Sequence, residues 1–349
     1  CRCCVTFSTT RYLLSNKMKQ SILVVIGITF FSFISKDELF VVPEMFPNPA
    51  YDFSKNPLTK EKIRLGRTLF YDPLLSKNNT ISCESCHSPY SAFTHVDHAL
   101  SHGIYDSIGT RNSIALMNLA WQKNFMWDGA IHHLDMQALA PISHLSEMAS
   151  SIDEVVKKLN TSNKYPTLFY HAFGDSSATG EHTLQALSQF MLTLVSANSK
   201  YDKVKRHEMK FTEQEENGYL LFTKNCSSCH NEPLFTNLDF ANNGLPIDTF
   251  LYDTGRMKVT KNPSDSLLFK VPSLRNIAYT YPYMHDGRFK KLSDVLQHYT
   301  SGIQVSKTLA PQLKKRISLS SNEKVDIIHF LLTLSDTAFI FNPKYQYPK

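Results

Sequence analysis

The sequence predicts a mainly α-helical protein built from two related halves. Capping boxes, in which Ser or Thr is followed three residues later by Glu, mark helix starts; they occur at Ser151/Glu154, Thr212/Glu215 and Ser320/Glu323. Apolar residues recur at helical spacing at Leu184, Leu187, Met191, Leu194 and Val195, and again at Val325, Ile328 and Leu332. No alternating run predicts a strand, and several short strings occur twice in the same order. We therefore expect helices to form both cores.

The N-terminal segment 1–35 holds most of the net positive charge. The chain has 37 Lys and Arg against 31 Asp and Glu, and segment 1–35 contributes four of the basic residues and no acid. The remainder therefore carries 33 basic against 31 acidic residues. Without a basic stripe, no nucleic-acid partner is expected.

This segment resembles an export signal in its pattern. Translation is expected to start at Met18, and a mainly apolar run of thirteen residues follows at 22–34. The run matches a signal-peptide core and is too short for a stable membrane span, so we expect a periplasmic protein with a leader at 1–35. An uncleaved anchor stays open, because Phe33 lies three residues before a cut after Ser35, where a small residue is usual.

The cysteines beyond the leader form two Cys-x-x-Cys-His motifs, CESCH at 83–87 and CSSCH at 226–230. This motif is the attachment signature of haem c, in which two thiols add to the haem vinyl groups and the histidine binds the iron. We therefore expect two covalent c-type haems. Their attachment residues are Cys83, Cys86, His87, Cys226, Cys229 and His230, with His87 and His230 as the proximal iron ligands.

Three other readings of these cysteines fit less well. A disulfide oxidoreductase would place one pair in a βαβ unit, which the sequence lacks. A zinc site spaces its two pairs about 15–20 residues apart, whereas these lie 143 residues apart. Structural disulfides would need neither adjacent histidine.

An internal duplication surrounds the two motifs. The repeated strings are 66–70 with 218–222, 93–94 with 235–236, 111–115 with 275–278, 126–129 with 284–287, and Leu134 with Leu292. The repeat predicts two tandem cytochrome-c-like domains, each with one covalent haem c. We expect an N-terminal domain at 36–205 and a C-terminal domain at 206–349, linked by the charged segment 200–210.

In this order the motifs resemble the bacterial di-haem cytochrome c peroxidase family, which includes the maturation enzyme of methylamine dehydrogenase. The matching strings are 65–87, MWDG (126–129), SEM (146–148), FKVPSLRN (269–276) and YPYMHDG (281–287). The resemblance covers about residues 45–335. It implies that the N-terminal haem is the peroxide site and that the C-terminal haem receives electrons.

The resemblance also implies three catalytic residues. Glu147 matches the glutamate that moves a proton between the two peroxide oxygens. Gln137 matches a glutamine on the distal side of the peroxidatic haem, and Trp127 matches the tryptophan between the haems. From the residues alone, Glu147 and Gln137 would as readily be surface side chains, and Trp127 would be a core anchor.

Two iron positions depart from the peroxidase pattern. Ile104 takes the place of the family's distal histidine, near His98 and His102, so the N-terminal iron is expected to be open without reductive activation. Tyr299 takes the place of the sixth ligand of the C-terminal haem, as in the maturation enzyme, with His298 and Met284 as alternatives. Its counterpart 158 residues earlier, Pro141, cannot ligate iron.

Further features follow from the resemblance alone. A calcium ion is implied between the domains, held by the Asn112 side chain and the carbonyls of Thr280 and Pro282, since oxygen donors suit Ca²⁺. His285 is expected to contact a haem propionate or to order its loop. A homodimer is also implied.

Three functions remain open on this evidence. The first is a periplasmic peroxidase that reduces H2O2 with electrons from a small cytochrome c or a cupredoxin. The second is a maturation-type oxidase that takes electrons from a partner protein, which Tyr299 favours. The third is a di-haem electron carrier, which needs neither an open iron nor Glu147.

Overall fold

The computed structural model describes residues 39–348, and it is mainly helical there, as predicted. The leader predicted at 1–35 lies outside the described residues. The α-helices are α1 (Lys60–Phe70), α2 (Leu134–Gln137), α3 (Leu139–Ser143), α4 (Ile152–Thr161), α5 (Tyr165–Phe173), α6 (Gly180–Leu192), α7 (Lys200–Lys205), α8 (Glu213–Asn225), α9 (Met257–Thr260), α10 (Leu292–Gln297), α11 (Ser321–Leu332) and α12 (Thr337–Ile340).

Little of the described chain is strand. Strands β1 (Phe240–Ala241) and β2 (Phe269–Lys270) form one antiparallel pair, in which Phe240 lies opposite Lys270. Short 3-10 turns and one π-turn, at His298–Gly302, complete the regular structure. Among residues 39–348, no helix combines the length and the apolar character that crossing a bilayer requires.

The three predicted capping boxes all form. They open α4, α8 and α11, and in each the Ser or Thr oxygen accepts from the backbone N–H of the Glu three residues on. The predicted apolar face of α6 is also confirmed, because Leu184, Leu187 and Met191 are buried. These local signals were therefore sufficient to locate the helix starts.

The predicted apolar face of α11 is wrong. Val325 and Leu332 are each 44% exposed, whereas Ile327, Phe330 and Leu331 are buried. Helix α11 has apolar residues on two faces. The face that packs in the core, next to α8, is the one with Ile327, Phe330 and Leu331. The selection depends on packing between helices, which periodicity within one helix does not encode.

Two glycines let the repeated helix pairs approach closely. A Cβ on Gly66 of α1 would lie 1.8 Å from the carbonyl oxygen of Ala186 in α6. A Cβ on Gly218 of α8 would lie 1.9 Å from the carbonyl oxygen of Asp326 in α11. Only glycine permits such a backbone approach, so the repeated strings that begin at 66 and 218 mark equivalent helix crossings.

Two hydrophobic cores surround these crossings. The first is drawn mainly from residues 46–194 and the second from residues 201–334. The C-terminal helix α12 contributes Phe339 and Ile340 to the first core, so the chain returns to the first half at its end. The domain boundary near residue 205 stays a prediction.

The charged segment that was predicted to link the halves is partly buried. Tyr201 and Asp202, in α7, are each 1% exposed. Asp202 makes a two-point ion pair with the fully buried Arg275, at 2.8 and 2.9 Å. Residues far apart in the chain therefore stabilise the start of the second half.

Candidate functional site

The first Cys-x-x-Cys-His motif forms a tight turn. A 3-10 turn spans Cys83–Ser85, and His87 follows it with Nδ1 2.8 Å from the carbonyl oxygen of Phe93. Because a carbonyl only accepts, Nδ1 carries the proton and Nε2 is left with its lone pair. Burial lowers the pKa of His87 to about 4, which keeps the imidazole neutral at pH 7.

The second motif repeats this geometry at the end of α8. Cys226 caps the helix, and Nδ1 of His230 lies 3.1 Å from the carbonyl oxygen of Phe235. Phe93 and Phe235 both adopt left-handed backbone angles, with φ of 61° and 54°. Burial lowers the pKa of His230 to about 4. The hydrogen bond at Nδ1 thus fixes the ring orientation of both histidines, and the Pro272 carbonyl oxygen also lies within hydrogen-bonding reach of the His230 ring.

The residues fit covalent haem. An imidazole whose second nitrogen donates to a carbonyl is the usual arrangement of a metal-ligating histidine. Burial raises the pKa of Cys83 and of Cys226 to about 12, so both are protonated thiols at neutral pH. The four cysteines within residues 39–348 are free of disulfides. In the same range, no group of three or more His, Cys, Asp or Glu side chains is arranged to hold a metal ion.

A largely apolar cavity of about 240 Å³ adjoins the second motif. Cys226, Cys229 and His230 line it, together with residues that the sequence analysis singled out. These are Asn112, Trp127, Thr280, Pro282, Met284, His285 and Tyr299. The predicted second haem site, the inter-haem tryptophan and the three predicted calcium ligands therefore lie around one cavity.

Of the three candidates for the sixth ligand, two line this cavity. Tyr299 is near the thiols of Cys226 and Cys229, and burial raises its pKa to about 12 although Asn243 opposes the shift. Met284 also lines the cavity, and its sulfur accepts from Asn243 Nδ2 at 3.4 Å. His298 does not line it, and its Nε2 donates to the Asn243 carbonyl oxygen at 3.0 Å.

Trp127 joins the two halves of the chain. Its Nε1 donates to the Asn112 carbonyl oxygen at 2.8 Å, and its own carbonyl accepts from the Lys270 backbone N–H at 2.7 Å. The Asn112 backbone N–H in turn donates to the His285 carbonyl oxygen, at 2.7 Å. The indole is thereby held in a fixed position at the edge of the cavity.

Glu147 lies beside the first motif. Its carboxylate is close enough to the Cys86 thiol to help raise the pKa of that thiol. Burial raises the pKa of Glu147, and His144, whose Nδ1 is 3.6 Å from Oε1, opposes this. The Glu147 side chain is 35% exposed, so protons can reach it from solvent.

The loop after the first motif packs directly against Glu147. The Ile104 backbone N–H donates to the Glu147 carbonyl oxygen at 2.8 Å, and Ile104 is buried. A Cβ on Gly103 would lie 2.1 Å from the Ser146 carbonyl oxygen, so only glycine fits there. The apolar Ile104 therefore stands next to the predicted acid/base group.

Gln137, His98 and His102, which the sequence also singled out, have defined neighbours. Gln137 is buried, and its Nε2 lies 3.8 Å from the Met126 sulfur. His102 pairs with Asp106 at 2.6 Å and its ring packs on that of the exposed His98, with centroids 4.5 Å apart. Both histidines thus have neighbours in their own loop.

One part of the predicted repeat is misaligned. In the structure Asn276 corresponds to Asn118, not to Asn112, because both adopt left-handed angles (φ 56° and 55°) before a 3-10 turn. The Asn118 side chain accepts from Ser196, and the Asn276 side chain accepts from Asp336. MWDG and MHDG are 158 residues apart in the chain, and the same offset counted back from Asn276 leads to Asn118.

Lys270 is a cavity residue that the sequence analysis did not single out. It is 5% exposed and donates to Gln122 Oε1 at 2.6 Å and to the Asn124 carbonyl oxygen at 3.2 Å. A lysine in a short strand is usually exposed, so composition gave no signal for its burial.

The chain is similar to a known family model and to several known proteins. Residues 60–210 match the family model described as di-haem cytochrome c peroxidase. The chain is 36% identical over 305 residues to the methylamine utilization protein MauG of Methylorubrum extorquens, covering 84% of this chain and 82% of that protein. It is 35% identical over 289 residues to the cytochrome c551 peroxidase of Nitrosomonas europaea, covering 80% and 81%.

A solved structure resembles the fold closely. The MauG-like protein associated with microbial copper homeostasis superposes with a TM-score of 0.78 at 30% sequence identity. The match covers 88% of this chain and 99% of that one. The similarity therefore extends well beyond the two haem-attachment motifs.

Proposed function

Because this chain belongs to the di-haem cytochrome c peroxidase family, we propose that it reduces H2O2 to water with electrons from a small periplasmic redox protein. Family membership implies two c-type haems, and Cys83, Cys86, Cys226 and Cys229 are the residues that would attach them. A small cytochrome c or a cupredoxin is the proposed donor.

The position of Glu147 carries this proposal. It is a partly buried carboxylate next to the first attachment motif, and burial raises its pKa. The Ile104 backbone bonds to Glu147, and its apolar side chain has no donor atom for iron, so it would not compete with peroxide. An electron carrier would need neither an acid/base group nor an open position, so this pairing supports an enzyme.

The chain's own residues divide the work as follows. When bound, the haems would supply the redox chemistry, and His87 and His230 would hold their iron. Glu147 takes a proton from one peroxide oxygen and returns it to the other, so that water can leave. Gln137 orients the peroxide through its amide. In balance, one H2O2 takes up two electrons and two protons and gives two waters.

Trp127 is the proposed electron path between the haems. Its indole lines the cavity beside the second attachment motif and is hydrogen-bonded to the Asn112 carbonyl oxygen in the first half. Electrons would enter at the haem of the second half and pass near this ring. The rigid anchoring of both its side chain and its carbonyl supports a role that needs fixed distances.

A second candidate function is a maturation-type oxidase that takes electrons from a partner protein. Tyr299, our proposed sixth ligand, lines the cavity beside the second attachment motif and favours this function. The 36% identity with a protein named for methylamine utilization also favours it. Both functions consume peroxide at the same site and differ in the electron source.

Three accompanying features belong to the same proposal. The leader at 1–35 would export the protein to the periplasm. Asn112, Thr280 and Pro282 would bind a calcium ion at the cavity edge, where all three lie. The homodimer rests on the family resemblance alone.

The direct test uses the haem-loaded protein, H2O2 and a reduced small cytochrome c. We expect steady oxidation of the cytochrome and a high-spin signal from the fully oxidised protein, because one iron is open. A long-lived spectral change on adding peroxide, without turnover, would favour the maturation-type function. An all-low-spin spectrum with no reaction would leave the electron carrier.

A second prediction concerns the sixth ligand. Replacing Tyr299 by Phe is expected to change the low-spin absorption and EPR signals of one haem, since Phe has no donor atom. Met284→Leu and His298→Ala are the matched controls and should leave these signals intact. If either control removes them while Tyr299→Phe does not, Tyr299 is not the ligand.

A further inference from the structure

Within residues 39–348, the cavity beside the second attachment motif is lined by a single lysine and by no other side chain that ionises to a cation as strong as an ammonium or a guanidinium. Among the described residues that line it, Lys270 is the sole Lys or Arg, and none is Asp or Glu. The other titratable side chains there are Cys226, Cys229, His230, Tyr283, His285 and Tyr299. None of these six side chains is a carboxylate that could pair with the lysine.

Lys270 is buried without a counter-charge. Its ammonium donates to an amide oxygen of Gln122 and to the Asn124 carbonyl oxygen, both neutral. No carboxylate pairs with it within residues 39–348. Burial without a partner anion lowers its pKa to about 7, and an anion bound beside it would raise the pKa again and keep the ammonium charged. A buried ammonium is costly unless an anion accompanies it, so the cavity is built for a ligand that brings negative charge.

Haem brings that charge. Each haem carries two propionates, which are ionised at neutral pH and are costly to bury without a cation. An ammonium has three N–H donors, and the two described hydrogen bonds leave one of them available. A propionate oxygen would complete the set.

We propose that Lys270 binds one propionate of the haem attached at Cys226 and Cys229 and thereby raises the reduction potential of that haem. This inference rests on haem attachment in the second half and not on the reaction that the protein catalyses. The potential rises because a fixed positive charge disfavours the ferric form, which carries one more positive charge than the ferrous form. Lys270 also bonds to Trp127 through its backbone, so this charge lies on the proposed electron path.

His285 does not fill the same role. It stacks on the Phe269 ring at 3.7 Å between centroids, and burial lowers its pKa to about 4. It can offer a propionate a hydrogen bond but no charge at neutral pH. Lys270 and His285 therefore make separable contributions.

The test is a redox titration of the haem-loaded protein and its Lys270→Met variant, following the two haems separately. At about pH 8 we expect the ratio of reduced to oxidised second haem, at a fixed ambient potential, to fall about tenfold in the variant. For a one-electron couple this is about 59 mV. The difference should shrink at lower pH, because the unpaired propionate becomes protonated and its charge is lost.

Two controls keep the result interpretable. Lys270→Arg retains the charge and should keep the wild-type potential. Lys314→Met removes a charge from an exposed residue near the cavity rim and should also leave the potential unchanged. Infrared redox-difference spectra of Lys270→Met should gain a protonated carboxyl band at low pH.

An unchanged potential and no new carboxyl band in a haem-loaded Lys270→Met variant would overturn the proposal. An equal fall in Lys314→Met would overturn it as well, because the effect would then be long-range charge. Loss of haem in Lys270→Met but not in Lys270→Arg would support binding of the propionate. None of these readouts needs peroxide turnover, so failure of the proposed peroxidase function is distinguishable.

Discussion

Replacing Glu147 by Gln is expected to lower peroxide turnover by about 10²–10⁴-fold while both haems stay attached. Glutamine keeps the shape and the backbone contact to Ile104 but cannot accept a proton. The attachment residues of the first haem are untouched by the change. The measurement is steady-state oxidation of a reduced cytochrome c, with haem content taken from the absorption spectrum.

The pH profile gives a sharper form of the same prediction. Burial raises the pKa of Glu147, so the carboxylate is lost as pH falls through a value above the ordinary one near 4.5. We expect kcat/KM to fall on this acid side, and the fall should be missing from the residual activity of Glu147→Gln. Protonated His144 lowers the pKa of Glu147, so His144→Ala should move the acid limb to higher pH.

The matched control is Asp153→Asn, which removes an exposed carboxylate six residues from Glu147, in the first turn of α4. It should leave both rate and pH profile unchanged. Wild-type turnover in a haem-loaded Glu147→Gln protein would remove Glu147 from the mechanism. The raised pKa would then reflect only its surroundings.

The sequence predicted best what depends on neighbouring residues. The haem motifs, the capping boxes and the anchoring phenylalanines at 93 and 235 all lie within a few residues of what they position. For these features, local chemistry is nearly the whole cause.

Features that depend on distant partners were missed or misread. Arg111-Asn112 matches Arg275-Asn276 in letters, yet Asn118 is the structural counterpart, because position relative to the helix ends decides its role. The buried Lys270 ammonium donates its hydrogen bonds to residues that lie 146 and 148 positions earlier in the chain. The apolar stripe of α11 was likewise decided by its partner helix. No pattern within a single segment carries this information.

The buried pair of Asp202 and Arg275 is another such case, and breaking it is expected to be costly. Asp202→Asn should lower the free energy of unfolding by about 3–5 kcal/mol, since it leaves a buried guanidinium without a counter-charge. Arg275 is fully buried, bonds the Pro233 carbonyl oxygen and packs over the Phe46 ring. Urea unfolding of the haem-loaded protein, followed by circular dichroism, measures the loss.

The double variant Asp202→Asn/Arg275→Met separates charge from packing. It removes both buried charges, so it should recover most of the stability that the single change loses. Glu208→Gln, which breaks the exposed ion pair with Arg206, is the surface control and should have little effect. If Asp202→Asn lowers the free energy of unfolding by no more than Glu208→Gln does, the buried pair does not stabilise the fold.

The same pair predicts how stability depends on pH. Burial alone would raise the pKa of Asp202, but the hydrogen bonds and charge of Arg275, with bonds from Ser199, outweigh it and lower the pKa below 3.8. A carboxyl whose pKa is lower in the folded state stabilises the fold above the unfolded value, and that stability is lost as pH falls through the folded value. The difference in free energy of unfolding between wild type and Asp202→Asn should therefore be constant from about pH 7 to about pH 5. It should narrow only below about pH 4, where protonation turns the wild-type carboxyl into a neutral group like the amide that replaces it.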